Sequence, residues 1–270
     1  MRLTQRAAVE DGVVAWDVYG AGSPVVLVHG FPARAYIWRH VIPGLIGAGH
    51  RVFVYDQLGF GSSERCEGQQ LYFEGQARVL HALLRSWELD APTVVAHDMG
   101  AGVAVVAATQ CPGRIGRLVL ASAAICPPVV TAGTLHMQRH LPAYATMPAA
   151  TWAPLIRSKI ATATHLPMDP IVLAAYAEPW LGDEGQAAYL RFVSQIDESL
   201  VEQTFISLRH LDLPVTIIWG EEDTWLPVEQ AELIASQLPK PAEVLTVPAA
   251  GHFLPEDAPG AVARLLRRLC

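Results

Sequence analysis

The pattern that most narrows what this chain can fold into is a series of apolar runs separated by helical periodicities. ProValValLeuValHis (24–29), ArgValPheValTyrAsp (51–56), ThrValValAlaHisAsp (93–98), ArgLeuValLeuAla (117–121), ProValThrIleIleTrpGly (214–220) and GluValLeuThrValPro (243–248) are largely continuous rather than alternating. Such runs suit strands buried on both faces of a parallel sheet. Between the second and third runs, Val79, Leu80, Leu83, Leu84 and Trp87 recur at helical spacing, and AspAlaPro at 90–92 ends the pattern. Alternating strand and helix predicts an α/β fold with a mostly parallel central sheet flanked by helices. The reactive loops of such a sheet lie at the carboxyl ends of its strands.

The alternation lapses between about Ile125 and His210, where proline, alanine, methionine and aromatics are frequent and short helical patterns occur without a convincing strand. This predicts a helical cap over residues 125–210, inserted into a core domain formed by residues 1–124 and 211–270. Its apolar content implies an apolar pocket over the sheet's reactive edge. With 270 residues and 51% hydrophobic composition, the chain can bury a large core. The stretch Leu118–Gln138 has no formal charge, but Pro127, Pro128, Gly133 and His136 interrupt it, so a membrane span is not expected.

A formal charge of −7, with arginines dispersed apart from Arg264, Arg267 and Arg268, argues against nucleic acid or an anionic membrane as partner. That cluster suits the end of a C-terminal helix, where cations complement the dipole. Cys66, Cys111, Cys126 and Cys270 lie far apart without metal-ligand or disulfide spacing, and no cofactor or metal is expected. The first residues show no apolar run followed by a cleavage site, which predicts a cytoplasmic setting. A homodimer is compatible with the sequence, and the expected partner is a small apolar substrate.

Four short segments carry the chemistry. Asp98 sits where a buried run breaks into the small residues Gly100, Ala101 and Gly102, and it is the only carboxylate between Asp90 and Asp169. An unpaired charge in apolar sequence costs several kcal/mol on the order of the buried-ion penalty, so a carboxylate kept there calls for a use. A tight strand-to-helix turn would present it above the sheet, with a helix N-terminus holding it ionised. HisGlyPhePro (29–32) follows another strand; the backbone N–H groups of Phe31 and Met99 could form an oxyanion hole, and Pro32 would fix the loop, a position open to a cis bond. Asp223 and His252 end the next two segments, giving the order Asp, Asp, His required by an elbow nucleophile, an orienter and a base. In that arrangement Asp98 attacks a saturated carbon to form an ester, and His252 activates the water that cleaves it.

HisGlyPhePro (29–32), TyrAspGlnLeuGlyPheGlySerSer (55–63), AlaHisAspMetGly (96–100), GlyGluGluAsp (220–223) and GlyHisPheLeuProGluAsp (251–257) together resemble the α/β-hydrolase superfamily over nearly all of residues 10–268. The likeness is to its aspartate-nucleophile branch of epoxide hydrolases and dehalogenases. It implies the α/β-hydrolase fold and an epoxide hydrolase-like activity. Haloalkane dehalogenases usually place Trp after the nucleophile and often Asn after HisGly, where this chain has Met99 and Phe31. Fluoroacetate dehalogenases grip a carboxylate with arginines just after the nucleophile, and none occurs here between Asp98 and Gln110. Epoxide hydrolases use tyrosines, or a histidine and a tyrosine, from the cap to donate to the epoxide oxygen. Tyr144 and Tyr189 are the candidates, with His140 and Tyr176 as substitutes, although the family tyrosine aligns with Leu190, one position from Tyr189. Trp152 and Trp180 are the candidate halide donors if the enzyme is a dehalogenase. A non-hydrolytic addition, cyclisation or C–C bond formation in natural-product metabolism, and a ligand receptor that retains the triad, are the remaining alternatives.

Overall fold

The computed structural model describes residues 1–270 and arranges eight strands in one sheet in the order β1-β2-β4-β3-β5-β6-β7-β8. They are β1 (Gln5–Val9), β2 (Gly12–Gly20), β3 (Ser23–Val28), β4 (His50–Tyr55), β5 (Thr93–His97), β6 (Arg117–Ala121), β7 (Val215–Gly220) and β8 (Glu243–Val247). The six apolar runs form β3 to β8, all parallel, with Leu27 beside Val54 on one side and Val95 on the other. The architecture is the α/β-hydrolase fold.

Two strands add to the sheet beyond those runs. β1 and β2 form an antiparallel hairpin that pairs with β4 at one edge. Their burial is mixed along the strand, with Val14 and Ala15 buried but Val13 and Gly20 exposed. Strands at a sheet edge need only part of their surface apolar, so no continuous run marks them.

Chain order and space part company at β3. The chain leaves β3 for β4 on one side, then crosses to β5 on the other. Loops leaving the carboxyl ends of β3 and β5 therefore diverge and open a crevice, the position where parallel α/β sheets hold their ligands. HisGlyPhePro follows β3 and Asp98 follows β5, so sheet topology alone brings these two segments together.

Between β6 and β7 the chain is helical, with helices at Ala132–Arg139, Leu141–Ala145, Ala149–Ala161, Pro170–Ala177, Gly182–Gln195 and Glu198–Ser207. Trp152 and Trp180 are fully buried in this insertion: the Trp152 indole donates to the Trp180 carbonyl at 2.7 Å, and that of Trp180 donates to the Pro32 carbonyl at 2.8 Å. Truncating either to alanine would cost about 3–5 kcal/mol. Glu256, held within the core by a paired contact with Arg39 at 2.6 and 2.7 Å, accepts from the Tyr176 hydroxyl of the insertion at 2.8 Å. The uncharged stretch from Leu118 is divided among β6, a loop and the helix Ala132–Arg139, and no helix is long and apolar enough to cross a membrane. Arg267 and Arg268 occupy the last turn of the helix Pro259–Leu269.

Candidate active site

Asp98 has φ 55° and ψ −127° between β5 and the helix Met99–Gln110. A left-handed conformation at a non-glycine residue costs roughly 1–3 kcal/mol and persists only where its surroundings enforce it. Here the Asp98 N–H donates to the Ala121 carbonyl, while its own carbonyl accepts from Ala101 and Ala124, each at 3.1 Å. The small residues after it allow close packing: a Cβ on Gly100 would strike the His29 carbonyl, and one on Gly102 would strike the Phe73 ring.

The β3 loop reaches the same carboxylate. The Phe31 N–H donates to Asp98 Oδ1 at 2.7 Å, and the Met99 N–H also favours the ionised acid. A Cβ on Gly30 would collide with that carboxylate, which explains why the loop places glycine there. The Phe31–Pro32 bond is cis. His29 stiffens the loop from beneath: Nδ1 donates to the Gly30 carbonyl and Nε2 accepts from the Gln57 N–H, both at 2.9 Å. Burial lowers the pKa of His29, so it remains neutral in this role. Asp56 accepts from Ala35 and Ser62 at 2.8 and 2.7 Å, tying the segment after β4 to the same framework.

His252 lies opposite Asp98. Its Nδ1 donates to Asp223 Oδ2 at 2.9 Å, which leaves Nε2 facing Asp98 Oδ2 at 3.2 Å, a charge contact without hydrogen-bond alignment. Asp223 is fixed in turn, because its Oδ1 accepts from the N–H groups of Trp225 and Leu226, both at 2.9 Å. Burial alone would lower the His252 pKa, but Asp223 and Asp98 outweigh it and raise it to about 9. Burial pushes both acids the other way, and the imidazole, together with backbone donors, holds each below the ordinary aspartate range. His97 donates from Nε2 to the His252 carbonyl at 2.8 Å; burial lowers its own pKa to about 4, so it is neutral.

Asp98, Met99, Phe31 and His252 border a cavity of about 360 Å³, and 15 of its 23 lining residues are hydrophobic. Tyr144 and Tyr189 also line it; the Tyr144 carbonyl accepts from Gln186 at 2.6 Å, whereas no hydrogen bond within the chain engages either phenol oxygen. Burial raises the pKa of Tyr189, so it remains a proton donor across the ordinary range. The other sequence candidates lie elsewhere. His140 is exposed and outside the lining. Tyr176 is buried, but its hydroxyl donates to Glu256 at 2.8 Å, so it packs the insertion onto the core. Trp152 and Trp180 do not line the cavity either, and their N–H groups are already engaged by carbonyls, which removes them as halide donors.

Among the lining residues not singled out from sequence, Trp225 and Lys159 bear most directly on the site. The Trp225 ring stacks on His252 with centroids 4.8 Å apart, and Lys159 Nζ sits 4.0 Å from the centroid of that same indole. The available signals were weak: Trp225 is two positions after Asp223, and Lys159 is one of only two lysines in the chain.

Residues 23–259 match the family described as alpha/beta hydrolase fold. An alpha/beta hydrolase fold protein from Burkholderia ambifaria superposes with a TM-score of 0.93 at 33% identity, covering 98% of this chain and 97% of that one. A cis-3-alkyl-4-alkyloxetan-2-one decarboxylase of Shewanella oneidensis is 28% identical over 266 residues, covering 88% of this chain and 79% of that protein. Epoxide hydrolase B of Mycobacterium tuberculosis is 41% identical over 99 residues, which is 36% of this chain and 28% of that protein.

Proposed function

This chain belongs to the α/β-hydrolase family and is a hydrolase of that fold; from that premise we propose that it is an epoxide hydrolase acting on an apolar small molecule through a covalent ester on Asp98. The observation that carries the reading is the division of labour between the two Asp98 oxygens. Oδ1 accepts the Phe31 N–H at 2.7 Å, whereas Oδ2 stands 3.2 Å from His252 beside an apolar cavity. An ionised carboxylate fixed by one oxygen and open at the other is arranged for displacement at a saturated carbon.

The proton inventory closes. Asp98 begins ionised and His252 protonated. Attack of Oδ2 on an epoxide carbon breaks the C–O bond. The released oxygen takes a proton from a donor on the insertion, with Tyr189 foremost, and the imidazolium replenishes that donor through water. Esterification removes the Asp98 charge, one of the two that raise the His252 pKa, so the imidazole becomes a competent base when a base is required. It takes a proton from water as the hydroxide adds to the Asp98 ester carbonyl. The N–H groups of Phe31 and Met99 hold the resulting oxyanion, where losing one donor typically costs about 100 to 1000-fold in rate. Collapse expels the product oxygen, which takes the acid proton and restores both starting groups.

Dehalogenation is a weaker alternative, because the three indoles nearest the cavity have their N–H groups engaged: Trp152 and Trp180 by carbonyls and Trp225 by the Thr162 hydroxyl at 2.9 Å. A non-hydrolytic reading is favoured by the Shewanella oneidensis decarboxylase, which this chain matches over most of both lengths. Asp98 would attack the saturated ring carbon that bears the ring oxygen of a four-membered lactone, breaking that C–O bond and releasing a carboxylate. Loss of CO2 would then form an alkene and expel Asp98, without consuming water.

One experiment separates the readings. With enzyme in excess over 1,2-epoxyhexane in 18O-labelled water, the first turnover places label in Asp98 and leaves the diol unlabelled. Label in the diol from that first turnover overturns the ester mechanism. Release of CO2 from a dialkyl oxetanone with no label in Asp98 replaces the hydrolytic reading with the second one.

A further inference from the structure

Lys159 lies three residues after the buried Ile156 on the helix Ala149–Ala161, so it occupies the inward stripe of that helix rather than its solvent face. Its ammonium has no carboxylate within 4.0 Å; the lysine that forms an ion pair is Lys240, with Asp212. The only contact recorded for its charge is the Trp225 indole, and that contact is built in. Trp225 Nε1 donates to Thr162 Oγ1 at 2.9 Å, Thr162 Oγ1 donates to the Lys159 carbonyl at 2.8 Å, and the Phe253 N–H donates to the Ala163 carbonyl at 2.8 Å. The end of the helix is thereby latched to the loops that carry Asp223 and His252.

A lysine that served only to cover an indole would carry its head to water. Burial instead lowers the pKa of Lys159, opposed only by the charge of Asp98. Asp98 is the sole acidic residue of the lining, and it is engaged with His252 and the Phe31 N–H. The cavity therefore holds one cation with no anionic partner, in apolar surroundings where such a charge is costly.

We infer that the cavity selects electrophiles carrying a carboxylate, which Lys159 receives while the apolar walls hold the chain between that carboxylate and the reactive carbon. The inference narrows the apolar substrate of the function proposed above to one whose apolar chain ends in a carboxylate, and rests on that function for the chemistry. A single ammonium on a flexible stem matches a monoanion; it lacks the fork or second cation that a phosphate dianion would favour.

The test uses ligands that do not react, so its result is separate from that of the labelled-water experiment. Calorimetric titration of the intact protein with hexanoate and with hexanamide should show the carboxylate binding at least ~10-fold more tightly, a difference of about 1.4 kcal/mol. Lys159→Met should bring the two ligands to equal affinity, and Lys159→Arg should retain most of the preference. Equal binding of both ligands to the unmodified protein overturns the inference, as does a hexanoate affinity unchanged by Lys159→Met. A parallel loss of both ligands in Lys159→Met, with Lys159→Arg equally impaired, assigns the lysine to packing and also overturns it. Hexanoate preference in a protein that fails to label Asp98 would leave the selectivity standing and remove the ester chemistry.

Discussion

The floor and the roof of the cavity treat polar groups in opposite ways. On the floor, Asp98 Oδ1, both oxygens of Asp223, His252 Nδ1, both nitrogens of His29 and both oxygens of Asp56 have partners within hydrogen-bond distance. On the roof, the phenols of Tyr144 and Tyr189 have no partner, and Lys159 has only an indole. The outer surface differs as well: five of the nine exposed large hydrophobics, including Leu166 and Ile171, lie on the insertion. In the proposed mechanism, these paired framework groups hold the reacting atoms, His252 Nε2 and Asp98 Oδ2, in place before substrate arrives. A roof with free donors would be completed by whatever enters, so under the proposed function the floor would set the reaction and the roof the substrate.

The floor should give the largest response. His252→Gln keeps Asp98 and its backbone donors but removes the base, so epoxide turnover should fall by on the order of 100 to 10,000-fold or more. Asp98 should still be alkylated, and intact-mass measurement should find one substrate equivalent accumulating on the protein. An unmodified Asp98 peptide after incubation with epoxide would break the division between floor and roof, because the floor would then not perform the bond-forming step.

A second response of the floor is thermodynamic. The His252 pKa is raised from 6.5 to about 9 in the folded state, so its stabilising contribution is fully present below pH 6.5 and is lost as pH rises through 9. At 1.36 kcal/mol per pKa unit, the loss is on the order of 3 kcal/mol. Asp98 and Asp223 have lowered pKa values and act in the opposite direction: their contribution is present above 3.8 and is lost as pH falls through their folded values. Urea unfolding at pH 6 and pH 9.5 should show the alkaline loss in the unmodified protein and a much smaller one in His252→Gln. Parallel losses in the two would show that the imidazole is not held by charge.

The same contrast governs what could be read from sequence. Floor residues follow apolar runs directly: Phe31 comes after β3, Asp98 after β5 and Asp223 after β7, so finding the strands finds the loops. β1 and β2 were less visible because an edge hairpin carries mixed burial rather than a continuous run. Roof residues depend on helix rotation, which composition does not give. Tyr176 and Tyr189 are both buried helical tyrosines, yet one hydroxyl meets Glu256 and the other ring borders the cavity. Nothing in the sequence around Lys159 marks it, and its place becomes visible only with the helix that carries it latched beside Trp225.

Three tyrosines sharpen the comparison at its smaller end. Tyr189 is buried beside Phe31, with ring centroids 4.8 Å apart, so its free hydroxyl is held near the floor. Tyr189→Phe should lower epoxide kcat/KM by about 10 to 100-fold, at or below the usual range for a positioned proton donor because other hydroxyls share the roof. Tyr176→Phe should instead destabilise the protein by about 1.5–3 kcal/mol, the contribution of a hydrogen bond to a charged group, and leave kcat/KM nearly unchanged. Tyr144 is half-buried on the helix Leu141–Ala145, which has no buried residue, so its ring is less enclosed than that of Tyr189. Tyr144→Phe should change kcat/KM by no more than about 3-fold, since a less enclosed donor recovers little of the benefit of positioning. Equal losses from Tyr144→Phe and Tyr189→Phe would mean that both phenols act together on the opening oxygen, and that substrate orders the outer helix as it binds.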